Sequence, residues 1–475
     1  MSGPRTSERI IPVAICLLIL GMSASTFQME IESGELRERT ERSETHESVN
    51  FQGFTPGSIY SDATISNARG TVCYVRHDGT IGCWGGNDNG QLATGYSGWG
   101  MESTYSTEDI IGVGGLQFRE VAVGHMSACA ITEGDELYCW GGGQYGQLGR
   151  PVCVENTTGG GYFHCRHAMN KPPQKVNFTN NETVLTISGT GGSGHFCAIM
   201  ETGEVMCWGQ NLYGQVDGSD FCSKMTSYAI PAVGDDCNWN YGKTRPQLVP
   251  FPDNRSAIAV TTGDQFSCAV LDNNSVYCWG STLAGRMGLG EDHFTTVTTS
   301  SWDVSMSSIE VENPDAFPDS GYAVLGWREG YWSGKSGNNL TGFELVDTEG
   351  VGTIVAGTYI ANAIQREPIH IPMPNDEPAL AIDSGGAITT AIVGDGKAVF
   401  WGHAGDNSTP VIQTAIPQGR TVISFSQSES HGCGILDNFE AWCGGQNGWG
   451  QLGLGSTGGN TPFSMVTGGQ EFVGI

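Results

Sequence analysis

Basic side chains are scarce in this chain of 475 residues: 22 Lys and Arg stand against 50 Asp and Glu, a net charge of −28. Such a surface repels phosphate backbones and anionic headgroups, which argues against nucleic acid or a membrane surface as partner. Fifteen cysteines are present, yet none forms the close Cys-x(2–4)-Cys pairs of a structural zinc site. Long stretches with a 3.6-residue apolar period are missing and 71 glycines interrupt the chain, so helical repeats are excluded. Acid–base catalysis needs converging carboxylates, or a histidine beside a nucleophile. The Asp and Glu residues form no recurring pair outside turns.

The N-terminal apolar run, residues 10–22, follows Arg5 and Arg9 and leads into Ser23, Ala24 and Ser25. Thirteen residues suit the core of a signal peptide and fall short of the roughly twenty that span a bilayer. Residues 1–25 are therefore expected to be a signal peptide or, alternatively, a signal anchor, which is the sole route to a membrane. Residues 26–50, dense in Glu and Arg, cannot bury a core and read as a charged linker. The folded part is expected from 51 to 475, in a protein secreted or held at the cell surface.

What the chain does have is a staple. Five times two cysteines lie ten residues apart: Cys73 and Cys83, Cys129 and Cys139, Cys197 and Cys207, Cys268 and Cys278, Cys433 and Cys443. In a β-hairpin this spacing centres on a three-residue loop that ends in a left-handed residue. Gly79, Gly203 and Asn274 fall there; Gly134 comes one place early, and Phe439 stands where glycine is expected. The cysteines of such a hairpin face each other within disulfide reach. Setting Cys16 aside, the remaining even count pairs Cys153 with Cys165 and Cys222 with Cys237; metal binding or reduced thiols are the alternatives. Two further copies, with Gly321 and Tyr331 or Thr390 and Phe400 at the paired sites, lack both cysteines.

Seven copies, 43 to 71 residues apart, with short alternating strands and glycine-rich turns, predict an all-β, seven-bladed β-propeller of antiparallel four-stranded blades with disulfide-stapled insertion loops. The Trp-Gly-x-Asn-x-x-Gly-Gln-Leu-Gly pattern of Trp84–Leu92, Trp140–Gly149, Trp208–Val216 and Cys443–Gly453 resembles the regulator of chromosome condensation repeat family. His195 and His431 occupy that family's Gly-x-x-His position. Nucleotide exchange on a small GTPase, which the resemblance alone implies, fits poorly with export, disulfides and acidity. Physically, the repeated Trp suits the wedge between blades, and the Gln is expected to tie a turn through its amide.

Long insertions are expected on one face: 96–108, 150–180, 217–245 and 293–319. Their aromatics Trp99, Tyr105, Tyr162, Tyr228, Trp239, Tyr241 and Trp302 are the candidate binding residues. The expected function is non-enzymatic recognition of an extracellular protein or glycan through these loops. A secreted hydrolase or lyase working in the central channel is the alternative. No cofactor is expected; Asp88 and Asp217 give calcium its weak case, as neither belongs to a full ligand series.

Overall fold

In the computed structural model the described residues are 65–95, 104–150, 171–217, 242–402 and 408–468, apart from 69, 179–181, 190, 191 and 193, together with Phe472. Every ten-residue cysteine pair closes a hairpin in which the two cysteines are directly opposed. All five disulfides are formed, with Cα atoms 4.1 Å apart. The third loop residue is left-handed whatever its identity: Gly79, Asp135, Gly203, Asn274 and Phe439 have φ of 76°, 61°, 82°, 66° and 64°. The cysteine-free copy keeps the register, with Thr390 opposite Phe400 and Gly396 at φ 75°.

Each hairpin supplies the second and third strands of a four-stranded antiparallel meander. Among the described residues there are six such sheets, spanning 65–109, 118–175, 184–248, 257–371, 379–412 and 422–465. Their first strands pack against one another in chain order and so lie innermost. The left-handed hairpin residue also sets the step to the next sheet. Its carbonyl accepts the N–H that opens the following inner strand: Phe118 to Gly79 (2.7 Å), Val184 to Asp135 (3.2 Å), Ala257 to Gly203 (2.8 Å), Ala379 to Asn274 (3.0 Å) and Val422 to Gly396 (2.7 Å). Phe472 repeats this bond to Phe439 at 2.9 Å, so its N–H takes the same position as the residues that open the inner strands of the other sheets.

Side chains on the inner strands add a second set of ties. The N–H groups of Val123, Thr262 and Gln427 donate to Ser66 Oγ (2.9 Å), Ser188 Oγ (3.1 Å) and Asp383 Oδ2 (2.7 Å) of the preceding sheet. In the second sheet Ala122 takes the place of such an acceptor, and Glu120 substitutes by receiving Ile187 N–H at 3.0 Å. Between these ties lie five hydrophobic clusters, each joining one sheet to the next. Trp140, Trp208, Trp279 and Trp401 are fully buried in four of them, the wedge position expected from sequence.

The Gly321–Tyr331 segment departs from the expected blade pattern. The fourth sheet's third strand, Val276–Ser281, is joined to its outer strand, Ile364–Ile371, through an excursion of residues 282–363. Within it, Gly321–Leu325 and Arg328–Trp332 form a hairpin whose turn has two residues, so Tyr331 faces Tyr322 and Gly321 faces Trp332. That hairpin is central to a five-stranded sheet, with a three-stranded sheet beside it. The excursion has its own core, including Trp302, Phe317, Trp332, Phe343 and Ile360. It also rests on the propeller through Tyr322, whose ring meets Tyr213 edge-on at 6.0 Å.

Candidate functional site: the insertion face

Consecutive sheets run in the same sense, so all strand 2–3 hairpins point to one face and all strand 3–4 connections to the other. The long insertions are these strand 3–4 connections: each leaves the third strand and returns as the outer strand of its own sheet. The stretches expected as insertions run into the returning strands, because those strands look like loop. Lys171–Lys175, for example, reads Lys-Pro-Pro-Gln-Lys, a composition tolerated only at a sheet edge.

At the root of each connection the repeat motif folds a tight turn. Asn87, Asn211 and Asn447 accept the N–H of Leu92 (3.0 Å), Val216 (2.9 Å) and Leu452 (3.2 Å). Gln91, Gln147, Gln215 and Gln451 accept the N–H two residues earlier, at 2.9, 2.7, 2.8 and 2.9 Å. The Gln backbone carbonyl then receives the indole N–H of the next sheet: Trp140 on Gln91 (2.8 Å), Trp208 on Gln147 (3.0 Å) and Trp279 on Gln215 (2.9 Å). Trp401 does the same to Arg286, the residue at the Gln position, at 3.0 Å. One motif thus shapes its own loop and fixes its neighbour.

The residue before Gly-Gln sits at the crown of this turn. Tyr213 occupies it in the third sheet, where Tyr322 covers it. In the sixth sheet the same position is Trp449, and it is 93% exposed. By sequence Trp449 belongs to the structural motif Cys443–Gly453. Its signal was the exchange of Asn89, Tyr145, Tyr213 and Trp449 at one crown position while the flanking Gly-Gln stays fixed.

Of the candidate binding residues, Trp302 is corrected outright. It is 2% exposed and stacks edge-on with Phe343 at 5.4 Å, because the excursion is long enough to need a core of its own. Tyr105 lies on the outer strand Thr104–Asp109. Trp99, Tyr162, Tyr228, Trp239 and Tyr241 fall outside the described residues, as do Cys153, Cys165, Cys222 and Cys237.

Ionisable groups in the interior serve as ties. His195 is completely buried and its Nε2 lies 2.7 Å from Ser267 Oγ of the next sheet, which itself donates to the Gln215 carbonyl at 2.9 Å. Burial pushes the imidazole down to about 3. A His–Ser contact of this kind suggests a nucleophile, but with both side chains at 0% exposure no substrate reaches it. Asp383 is pushed up to about 7 by burial, against the opposing pull of the Gln427 and Ser384 N–H groups. Glu120 is raised by burial as well, against the hydrogen bonds from Ile187 and Thr186. Asp217 is held by Asn211 Nδ2 at 2.9 Å and lies 3.7 Å from Lys243 Nζ. Among the described residues no group of three His, Cys, Asp or Glu side chains converges as a metal site.

Stapled hairpins repeated around inner strands, locked by a Trp from each sheet on the motif of the one before, define a β-propeller of sequence repeats. Models of the regulator of chromosome condensation (RCC1) repeat match residues 118–147, 187–215 and 257–285, and 135–199. The chain carries repeats of this family within residues 118–215 and 257–285. Among similar proteins, the ultraviolet-B receptor UVR8 of Arabidopsis thaliana is 27% identical over 315 residues, 56% of this chain and 66% of the receptor. The E3 ubiquitin-protein ligase HERC2 of Mus musculus is 28% identical over 238 residues, 49% of this chain and 4% of the ligase. The chain therefore spans less than two thirds of either relative. Human WBSCR16 superposes with a TM-score of 0.56 at 15% identity, covering 86% of this chain and 82% of its own. Prp20p of Saccharomyces cerevisiae, described with its binding to Gsp1p and histones, gives 0.54 at 14% identity, covering 86% and 77%. These likenesses establish the fold.

Proposed function

We propose that the protein is a non-enzymatic recognition propeller, acting outside the cell or at its surface, that binds a protein partner through the insertion face. The observation that carries this reading is the distribution of insertions. Every long one leaves the third strand and returns as the fourth, so their roots share one face while the hairpins of the other face keep their repeat. Loops positioned by a rigid scaffold are where binding surfaces are built. Trp449, raised on a turn that Asn447 and Gln451 both brace, is the described side chain best placed to anchor a partner. Five formed disulfides support an oxidising compartment. His195, walled in with Ser267, favours the non-enzymatic reading over the hydrolase or lyase.

The test is affinity capture from the extracellular fraction of the source, using the oxidised chain beside Trp449→Ala. A protein held by the parent and lost by the variant supports the reading. Equal recovery by both removes Trp449 from its role, and turnover of a glycan or peptide panel by the parent overturns the non-enzymatic assignment.

A further inference from the structure

The excursion ends in an exposed apolar patch that its own core does not use. Its hairpin turns through Gly326 and Trp327, and Trp327 is 80% exposed. On one side the strand Tyr359–Asn362 pairs with Gly321–Leu325, and Gly326 N–H donates to the Tyr359 carbonyl at 2.7 Å. On the other, Val346 N–H donates to the Glu329 carbonyl at 2.9 Å, just beyond the strand that pairs with Arg328–Trp332. Tyr359, Val346 and Val355 are 46%, 53% and 65% exposed, and the Val355 carbonyl accepts the Thr358 Oγ1 hydroxyl at 2.6 Å in the turn that leads into Tyr359. The sheet's turn end and the loops beside it therefore carry four exposed apolar side chains.

The patch is held in shape. The Arg328 guanidinium lies 4.1 Å from the Trp327 ring centroid, and its two NH groups donate to the carbonyls of Asp347 and Glu349 at 3.3 Å each. Arg328 thereby links the indole to the 347–349 loop. The exposed carboxylates of Asp347 and Glu349 are left at the rim. The wider charge has the same sign: residues 282–363 hold eleven Asp and Glu against three Arg and Lys.

Resting on the recognition reading above, we infer that this patch docks a cationic segment of a partner protein, apolar side chains seated on Trp327, Val346, Val355 and Tyr359 and Lys or Arg side chains on the Asp347–Glu349 rim. An apolar centre with a charged rim is the usual division of labour in an interface. Charge complementarity selects the partner: a second copy of this acidic chain would bring like charge to the rim.

The probe is a fluorescent twelve-residue peptide alternating Lys with Leu and Tyr, with a Glu-for-Lys counterpart, titrated into the full oxidised chain by anisotropy. The parent is expected to bind the cationic peptide at least tenfold more tightly than Trp327→Ala does. Asp347→Asn combined with Glu349→Gln is expected to keep weak binding and lose most of its dependence on salt between 50 and 500 mM. Tyr359→Ser provides a second apolar variant should Trp327→Ala disturb the hairpin. Equal binding by parent and Trp327→Ala, or equal binding of the acidic peptide, overturns the inference. A natural partner that survives Trp327→Ala but is lost with Trp449→Ala also overturns it, while leaving the recognition reading standing.

Discussion

The indole ties between sheets differ in one respect that mutation can expose. Trp140 Nε1 is the donor on the Gln91 carbonyl, at 2.8 Å, and replacing the indole by a phenyl ring orphans that buried acceptor. The Gln215 carbonyl instead receives two donors, Trp279 Nε1 and Ser267 Oγ, both at 2.9 Å. Trp→Phe removes a similar apolar volume at both sites, since both indoles are fully buried. The unsatisfied carbonyl adds about 1–3 kcal/mol at the first site only. Trp140→Phe is therefore expected to cost roughly 1–3 kcal/mol more than Trp279→Phe, read as the shift of the urea midpoint at constant slope in the oxidised protein. Combining Trp279→Phe with Ser267→Ala removes the second donor. The double variant should exceed the sum of the single costs by about 1–2 kcal/mol, the cycle cancelling what Ser267 contributes through His195. Equal costs at the two tryptophans, or strict additivity in the cycle, would refute the assignment of these indoles as carbonyl ties.

Other outcomes follow from the same geometry. Thr390→Cys with Phe400→Cys should form a sixth hairpin disulfide, because the pair is opposed as the native cysteines are; thiol titration should find neither new cysteine free, and stability should rise by about 2–3 kcal/mol before any packing loss at Phe400. Phe439→Gly relieves a bulky residue at φ 64° and should stabilise the sixth sheet by about 1 kcal/mol; a loss instead would mean that the ring's contacts outweigh the backbone strain. Stability should also respond to pH in two opposed ways. His195, held near 3, stays neutral in the fold while the unfolded chain takes up a proton, so its contribution is lost as pH falls from about 6.5 toward 3. Asp383, held near 7, stays protonated in the fold while the unfolded carboxyl ionises, so stability is lost as pH rises from about 4 to 7. Asp383→Asn should therefore gain on the parent across that second window, and parallel pH profiles would contradict the protonated, half-buried carboxyl.

Much of the fold was legible because the cysteine spacing encodes hairpin geometry. Ten residues fix both the opposed register and the left-handed loop position, which Asp135 and Phe439 obey although neither is glycine. The motif roles of Trp and Gln were legible as volume and amide chemistry, though the indole-to-carbonyl tie between sheets was not, since it joins residues 49 to 64 positions apart. The Tyr322–Tyr331 hairpin imitates a repeat in composition while its two-residue turn shifts the register by one, a change that aromatic and glycine content cannot reveal. Trp302 misled for a related reason: an aromatic in a long loop is a contact candidate until the loop acquires a core. Trp449 was hidden inside a motif whose other members are structural.

The interruption of the fourth sheet bears on how the protein is made. Its third strand, Val276–Ser281, leaves the ribosome well before Ile364–Ile371, the strand that completes the sheet. At about 5–20 residues per second that order leaves an open β-edge for several seconds or more. Every other described sheet receives its fourth strand sooner. Over that interval the nascent chain offers unpaired N–H and C=O groups to any passing strand, and the early hairpin staple through Cys268 and Cys278 holds that edge in register until its own partner arrives.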